Sequence, residues 1–503
     1  MSVIPTLDLP RVAKARAALS ARVSDSVDAV FVIAPESVQP RAFAQLPEAQ
    51  RWRDLHARDK ARTGSVRSTT LSNQRQTQAV LGYLSSDASP FERLQLAGRM
   101  MKEIGGRAAE SVALLSLLDR STNAASLEAL LAATFAHSFA LPAFRSKRDT
   151  GKRLREITLV DGDEVNLRHA EAAARGNNLV RWLTALPPNK LDARSYRKVI
   201  AQIAKDHKLS MRWYDEQQLR RLGANAFLAV AAANEEAGAG IAHLRYRPRS
   251  NKREPDVALV GKGIIFDTGG INLKPHKSML DMHIDMSGSA VALATLVALS
   301  ELRVPFAVDA WLAITENRIG PHGYKPQDII EACNGVTIQV IHTDAEGRMA
   351  LADTLALAGR TKPRFMIDFA TLTGASVYAL TERMSSVLTN RPALADKLVA
   401  AGRASGERVW NFPFDSDFDS DLESKVADVL QCSVDGKGDH ILATRFLSRF
   451  VPEDVAWAHV DLSSVSRSGG LGHVNTEITG FGVRFTLEAL LNQKLLEGLE
   501  RSK

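Results

Sequence analysis

Cysteine is nearly absent from the chain: Cys333 and Cys432 are the whole supply in 503 residues. Two thiols build neither a disulfide framework nor a Cys-rich zinc site. Their scarcity fits a reducing compartment and pushes any metal site towards oxygen and nitrogen ligands. Long unbroken apolar runs are missing too. The most apolar stretch, LEALLAATFAHSFALPAF at 127–144, is interrupted by His137, Ser138 and Pro142. It reads as a buried helix and not as a membrane span. The first residues scatter charges and carry no continuous apolar segment, so no secretory signal is read there, and Pro5 and Asp8 count against an organelle-targeting reading. A cytoplasmic protein with no membrane partner is the expectation. An excess of one charge is also small, at +7 from 64 Lys+Arg and 57 Asp+Glu. It concentrates in residues 51–75, where seven basic residues face two acids. Such a run suits nucleic acid, although a solvated surface is its commoner use.

What is present is ordinary globular composition, 45% hydrophobic and 24% charged, at a length that favours two or more domains. In the first third, strand-like runs (AVFVIA, AVLGYL, SVALLSLL, EITLVDG) alternate with helical patterns (FERLQLAGRMMKEI, SLEALLAATFAHSF). That alternation predicts an α/β domain over residues 1–164. A helix-compatible stretch from Val165 runs to the prolines of PPNK, which stop it, and 165–187 is expected to be a linker helix. Residues 188–503 repeat the pattern with stronger runs: VALVGKGIIF, FAVDAWLAITE, TIQVIHTD and RFMIDFATLTG. Near-continuous apolar strands of this kind are expected in a mostly parallel sheet buried on both faces. The predicted fold is thus a smaller N-terminal α/β domain, a connecting helix and a larger C-terminal α/β domain.

The strand-like runs of the second part end in charge. VALVGKGIIFDTGGINLK carries Lys262, Asp267 and Lys274 among glycines; MHIDMSGSA carries Asp285; TIQVIHTDAEGR carries Asp344, Glu346 and Arg348. On an extended segment residues i, i+2 and i+4 share a side, so the last three are expected to converge. In open α/β sheets the carboxyl ends of the strands form the ligand crevice. Four carboxylates gathered there repel one another unless about two divalent cations, Zn²⁺, Mn²⁺ or Mg²⁺, sit among them. Lys262 beside cations can act as a neutral nitrogen ligand, because lysine pKa values shift readily. Histidines 276, 283, 322 and 342 lie near these motifs, but the ligand set is complete without them.

VGKGIIFDTGGINLK, DMSGSA, HTDAEGRMALAD and DFATLTGA, in this order and spacing over residues 257–375, resemble the leucyl (cytosol) aminopeptidase family, with TGFGVRF as a weaker match. The resemblance implies a catalytic C-terminal domain and a two-metal aminopeptidase acting on peptides. It implies that Asp267 and Glu346 bridge two ions, Zn²⁺ or Mn²⁺, that Asp344 completes one site, and that Lys262 and Asp285 complete the other. It places Lys274 at the scissile carbonyl and a bicarbonate general base on Arg348. Met282, Thr371, Leu372, Gly374 and Ser463 are implied substrate contacts. A homohexamer is implied, and DNA binding through the basic N-terminal domain is a second function found among bacterial members. The chain departs from the family pattern at Ser287, His342, the KPQD segment and DLSS. Ser463 stands where the family has alanine, and an unpaired hydroxyl there is expected to disfavour a leucine side chain.

Overall fold

The computed structural model describes residues 6–15, 19–105, 109–147, 153–234, 238–248 and 254–500. Residues 1–5 of the N-terminal stretch weighed above lie outside them. The apolar runs of the first third form a six-stranded sheet. Its order is Arg11–Ala15, Glu156–Val160, Ser111–Ser116, Ala29–Pro35, Gln78–Leu84 and Val66–Thr70. All pairings are parallel except that of the Val66–Thr70 edge strand. Helix Pro90–Lys102 begins where Ser89 and Glu92 cap it reciprocally, with Pro90 supplying a preset φ.

The second sheet has eight strands: Val409–Asn411, Ser385–Thr389, Ala456–Asp461, Phe365–Ala370, Val257–Asp267, Val308–Asn317, Gly240–Tyr246 and Ser210–Asp215. The four central strands run parallel, and antiparallel pairings flank them. Alternation along the Val257 strand shows why it is apolar throughout. Val257 and Leu259 pack on one side with Val291 and Phe485, while Ala258 and Val260 pack on the other with Met349 and Leu355. A sheet clothed on both faces needs apolar residues at both parities.

Helix Ser287–Leu302 is buried for nearly its whole length, as its all-round apolar sequence requires. Its start lies hard against the sheet: a Cβ at Gly288 would come within 2.0 Å of the Phe369 carbonyl oxygen. Only glycine permits that approach, and it draws the Asp285 turn to the strand ends. Helix Leu167–Thr184, read from the sequence as a linker, is also a core element. Asn177 donates to the carbonyls of Thr479 and Gly480 at 3.0 and 3.1 Å. Buried Arg181 donates to the Ala136 carbonyl at 3.1 Å and to Thr476 Oγ1 at 3.0 Å.

One expectation is corrected. TIQVIHTD does not enter the large sheet. Only Thr337–Gln339 is strand, in a separate three-stranded sheet with Ile329–Glu331 and Val429–Leu430. Asp344 lies in the following turn, and Glu346 and Arg348 occupy the first turn of helix Glu346–Gly359. Two residues apart on a helix point to different sides, so the charges do not converge as they would on a strand. An acid in a first helical turn is favoured by the helix dipole, which explains why the chain winds up here.

Candidate metal centre

The acids do meet, through tertiary structure. Asp267 ends the Val257 strand, Asp285 lies on the turn Met282–Met286, and Asp344 and Glu346 arrive from the loop and helix beyond. Carboxylate oxygens of Asp267, Asp344 and Glu346 lie within 4.8 Å of one another. Lys262 Nζ sits 2.8 Å from Asp285 Oδ1 and 2.9 Å from Glu346 Oε1, and donates to the Thr371 carbonyl at 3.0 Å. Lys274 Nζ sits 2.8 Å from Asp267 Oδ2 and 2.5 Å from Asp344 Oδ1. Lys262 is accommodated because residue 347 is glycine: a Cβ there would lie 2.4 Å from Lys262 Cε.

Electrostatics set what this centre lacks. Four carboxylates face two ammonium groups, which leaves negative charge uncompensated. Burial, reinforced by the neighbouring acids, pushes the carboxyls of Asp285, Asp344 and Glu346 upward despite the lysines. Burial alone would strip Lys262 of its proton, but Asp285, Glu346 and Asp267 together hold it on, above the ordinary lysine value. Asp285 Oδ2 and Glu346 Oε2 are buried without a hydrogen-bond partner. Buried, unpartnered carboxylate oxygens beside a charge deficit are what hard or borderline divalent cations require. The donor set therefore fits a metal pair.

Asn317 and Asp461, not singled out in the sequence, hold this arrangement. Asn317 Nδ2 donates to Asp267 Oδ1 at 2.8 Å, fixing the carboxylate's rotation. Asp461 accepts from the amides of Leu372 and Thr373 and from Thr373 Oγ1. That shapes the Thr371–Gly374 turn, where Thr371 Oγ1 donates to Asp285 Oδ1 at 2.6 Å and Gly374 is exposed. Met282 lies three residues before Asp285 on a 3₁₀ turn, so the two share a face. His342 Nδ1 accepts from the Asp344 amide at 3.2 Å. Asn317 ends an apolar strand as the acids do, a signal available in the sequence; Asp461 carried a similar one at DLSS.

Two positions differ from expectation in their partners. Arg348 is buried and already engaged: its Nη2 donates to both oxygens of Asp439 at 2.9 Å, and its Nη1 donates to the Gln431 carbonyl at 3.1 Å. The Ser463 hydroxyl is paired with Ser376 Oγ at 2.7 Å, which in turn meets Ser386 Oγ at 2.9 Å. The unpaired hydroxyl expected at Ser463 is therefore corrected: a chain of three serines satisfies it.

Residues 178–487 match the cytosol aminopeptidase family, catalytic domain. That span is more than half of the chain. The chain belongs to the cytosol aminopeptidase family. A "Probable cytosol aminopeptidase" of Aquifex aeolicus (strain VF5) is 35% identical over 352 residues, covering 69% of this chain and 71% of that protein. One of the same description from Geobacter sp. (strain M21) is 35% identical over 412 residues, covering 79% and 82%. Among solved structures, a mutant tomato leucine aminopeptidase superposes with a TM-score of 0.85 at 28% identity, over 97% of this chain and 98% of that one. The bottromycin maturation enzyme BotP in complex with Mn gives 0.82 at 28% identity, over 93% and 100%. The chain is a metal-dependent α/β aminopeptidase acting on peptides, and divalent metals are its cofactors. Nothing in these likenesses supports DNA binding.

Proposed function

We propose that this aminopeptidase removes N-terminal residues from peptides at the carboxylate cluster of Asp267, Asp285, Asp344 and Glu346. The observation that carries this is the pair of buried, unpartnered oxygens on Asp285 and Glu346 in a centre short of positive charge. Asp267 and Glu346 would be shared by two Zn²⁺ or Mn²⁺ ions, Asp344 would complete one site, and Asp285 the other with Lys262, whose proton the ion would displace. BotP with Mn makes manganese a natural first test. Such ions supply charge that lowers the pKa of a water and opposes charge on the carbonyl oxygen in the transition state. Lys274 then turns from Asp267 and Asp344 to donate to the developing oxyanion. Arg348 anchors an anion that takes the proton of the attacking water, the place of bicarbonate in the family. Thr371, Leu372, Gly374, Met282 and Ser463 would line the first side-chain pocket, and its apolar members favour a leucine-like residue.

The functional units of this reading are residues 1–164, the helix within 165–187, and a catalytic unit over 188–503. A cytoplasmic homohexamer acting on peptides is the proposed working form; the relatives' names support a cytosolic peptidase, and exposed apolar side chains such as Tyr378 and Leu280 suit assembly. Within the basic run 51–75, Arg67 donates to the carbonyls of His56 and Asp59, and Arg75 pairs with Asp28. DNA binding, which the relatives do not support, is not part of the proposal.

The test uses protein stripped of metal and reloaded with Zn²⁺ or Mn²⁺, given leucine amide and its N-acetyl derivative. Hydrolysis of the free amine only, lost together with bound metal in Glu346→Ala, is the expected outcome. Cleavage of the acetylated compound, or full metal content and turnover in the variant, overturns the reading.

A further inference from the structure

Asp439 opens helix Asp439–Ser448, far in sequence from the acid motifs, yet its carboxylate lies on the guanidinium of Arg348. The two ends of this pair live in different surroundings. Arg348 is 2% exposed, whereas the Asp439 side chain is 25% exposed. The guanidinium is a buried anchor, and the carboxylate is the part that opens outward. Arg348 stands two residues from Glu346 on the first turn of helix Glu346–Gly359, beside the carboxylate cluster. Gln431, whose carbonyl accepts from Arg348 Nη1, also accepts through its Oε1 from the Ile341 and His342 amides at 3.1 and 3.0 Å, so the Arg348–Asp439 pair adjoins the turn that carries Asp344.

We infer that Asp439 is a built-in general base: its carboxylate occupies the anion place on Arg348, so the enzyme works without an exogenous bicarbonate. This rests on the aminopeptidase reading above. In the first step an O–H bond of the attacking water breaks. Its proton passes to an Asp439 oxygen while the water oxygen bonds to the substrate carbonyl carbon. When the carbon–nitrogen bond breaks, the proton moves to the leaving amine and Asp439 returns to carboxylate. One water is consumed, no outside acid or base is needed, and no charge is left over. Arg348 is the positioning residue, because its donation to both Asp439 oxygens fixes the carboxylate.

The experiment compares wild type, Asp439→Gly and Asp439→Asn. The glycine variant empties the place on Arg348; the asparagine variant keeps the shape and removes the charge. Leucine amide hydrolysis by Zn-loaded protein is followed in carbon dioxide-depleted buffer, with and without sodium bicarbonate or formate. Wild type is expected to ignore the added anions. The glycine variant should lose on the order of 10²-fold in kcat with little change in KM, and recover at least about tenfold of it with either anion. The asparagine variant should be as slow and not recover, since its side chain blocks the place. Binding of ¹³C-bicarbonate to the metal-free proteins, read by NMR, is the second measurement. Asp439→Gly should bind it, and wild type and the double variant Asp439→Gly with Arg348→Met should not. Bicarbonate stimulation of wild type, or full speed of Asp439→Gly in depleted buffer, overturns the inference. If wild type shows no metal-dependent hydrolysis, the aminopeptidase reading has failed instead. NMR then decides the occupancy alone: equal bicarbonate binding by wild type and Asp439→Gly overturns it.

Discussion

Lys274 touches two proposed metal ligands and yet is not needed to hold an ion. Its Nζ lies against Asp267 and Asp344 at one edge of the centre, partly exposed, while Lys262 is enclosed between Asp285 and Glu346. Lys274→Ala should therefore keep its metal and lose turnover, by roughly 10²–10³-fold, the usual cost of removing one oxyanion donor. Metal content by atomic emission beside kcat decides this: metal loss with a normal rate per bound metal pair makes Lys274 a ligand. Ser463 teaches the complementary lesson. From sequence its hydroxyl is a polar intruder in an apolar pocket; in the fold it pairs with Ser376, which also meets Ser386. Which hydroxyl meets which depends on the Gly374–Leu380 helix and the Ala456–Asp461 strand lying together, and no local pattern encodes that.

At the scale of elements, the strands and helices were legible wherever burial imposed a single period. The Val257, Val308 and Phe365 strands are apolar at both parities because helices cover both faces, and the sequence says so directly. TIQVIHTD misled because a short apolar run looks the same in a minor sheet as in the main one. A helix end carries the next prediction. Glu407 is buried at the start of helix Val483–Leu491, where its Oε2 accepts from the Gly482 and Phe485 amides at 2.9 and 2.8 Å. Burial pushes its carboxyl up to about 7, against the pull of those amides and Arg484. A raised carboxyl binds its proton more tightly folded than unfolded. Its stabilising contribution is therefore complete at low pH and is lost as pH rises from the ordinary carboxylate range through about 7. The shift corresponds to a term on the order of 3 kcal/mol. Glu407→Gln retains an acceptor and cannot ionise, so its Tm should fall less between pH 5 and pH 8 than that of wild type. Thermal unfolding at the two pH values tests it, and parallel declines for both proteins refute the assignment.

For the whole molecule, the surface around the centre bears on the proposed assembly. Tyr378 is 93% exposed on the helix that follows the Thr371–Gly374 turn, and Leu280 and Ile271 are exposed on the segment between Asp267 and Asp285. Large apolar side chains in such number beside an active site suit burial by further copies of the chain. Tyr378→Asp should reduce the particle mass from that of the proposed hexamer, measured by sedimentation, while leaving far-ultraviolet dichroism unchanged. An unaltered hexamer, or a monomeric wild type, rules out this surface as an interface.

By itself the sequence determined the α/β class, the acids and lysines of the centre and the family. Each depends on residues close in the chain: strand ends, glycines where the backbone approaches, and an acid at a helix start. Only the tertiary structure decided which charges pair. Arg348 and Asp439 are 91 positions apart, Asp267 and Asn317 are 50 apart, and Thr373 and Asp461 are 88 apart. Local periodicity decides which elements form and which faces they bury. A hydrogen bond between distant side chains is set by how those elements stack, and the chain closes each such loop only when its core assembles.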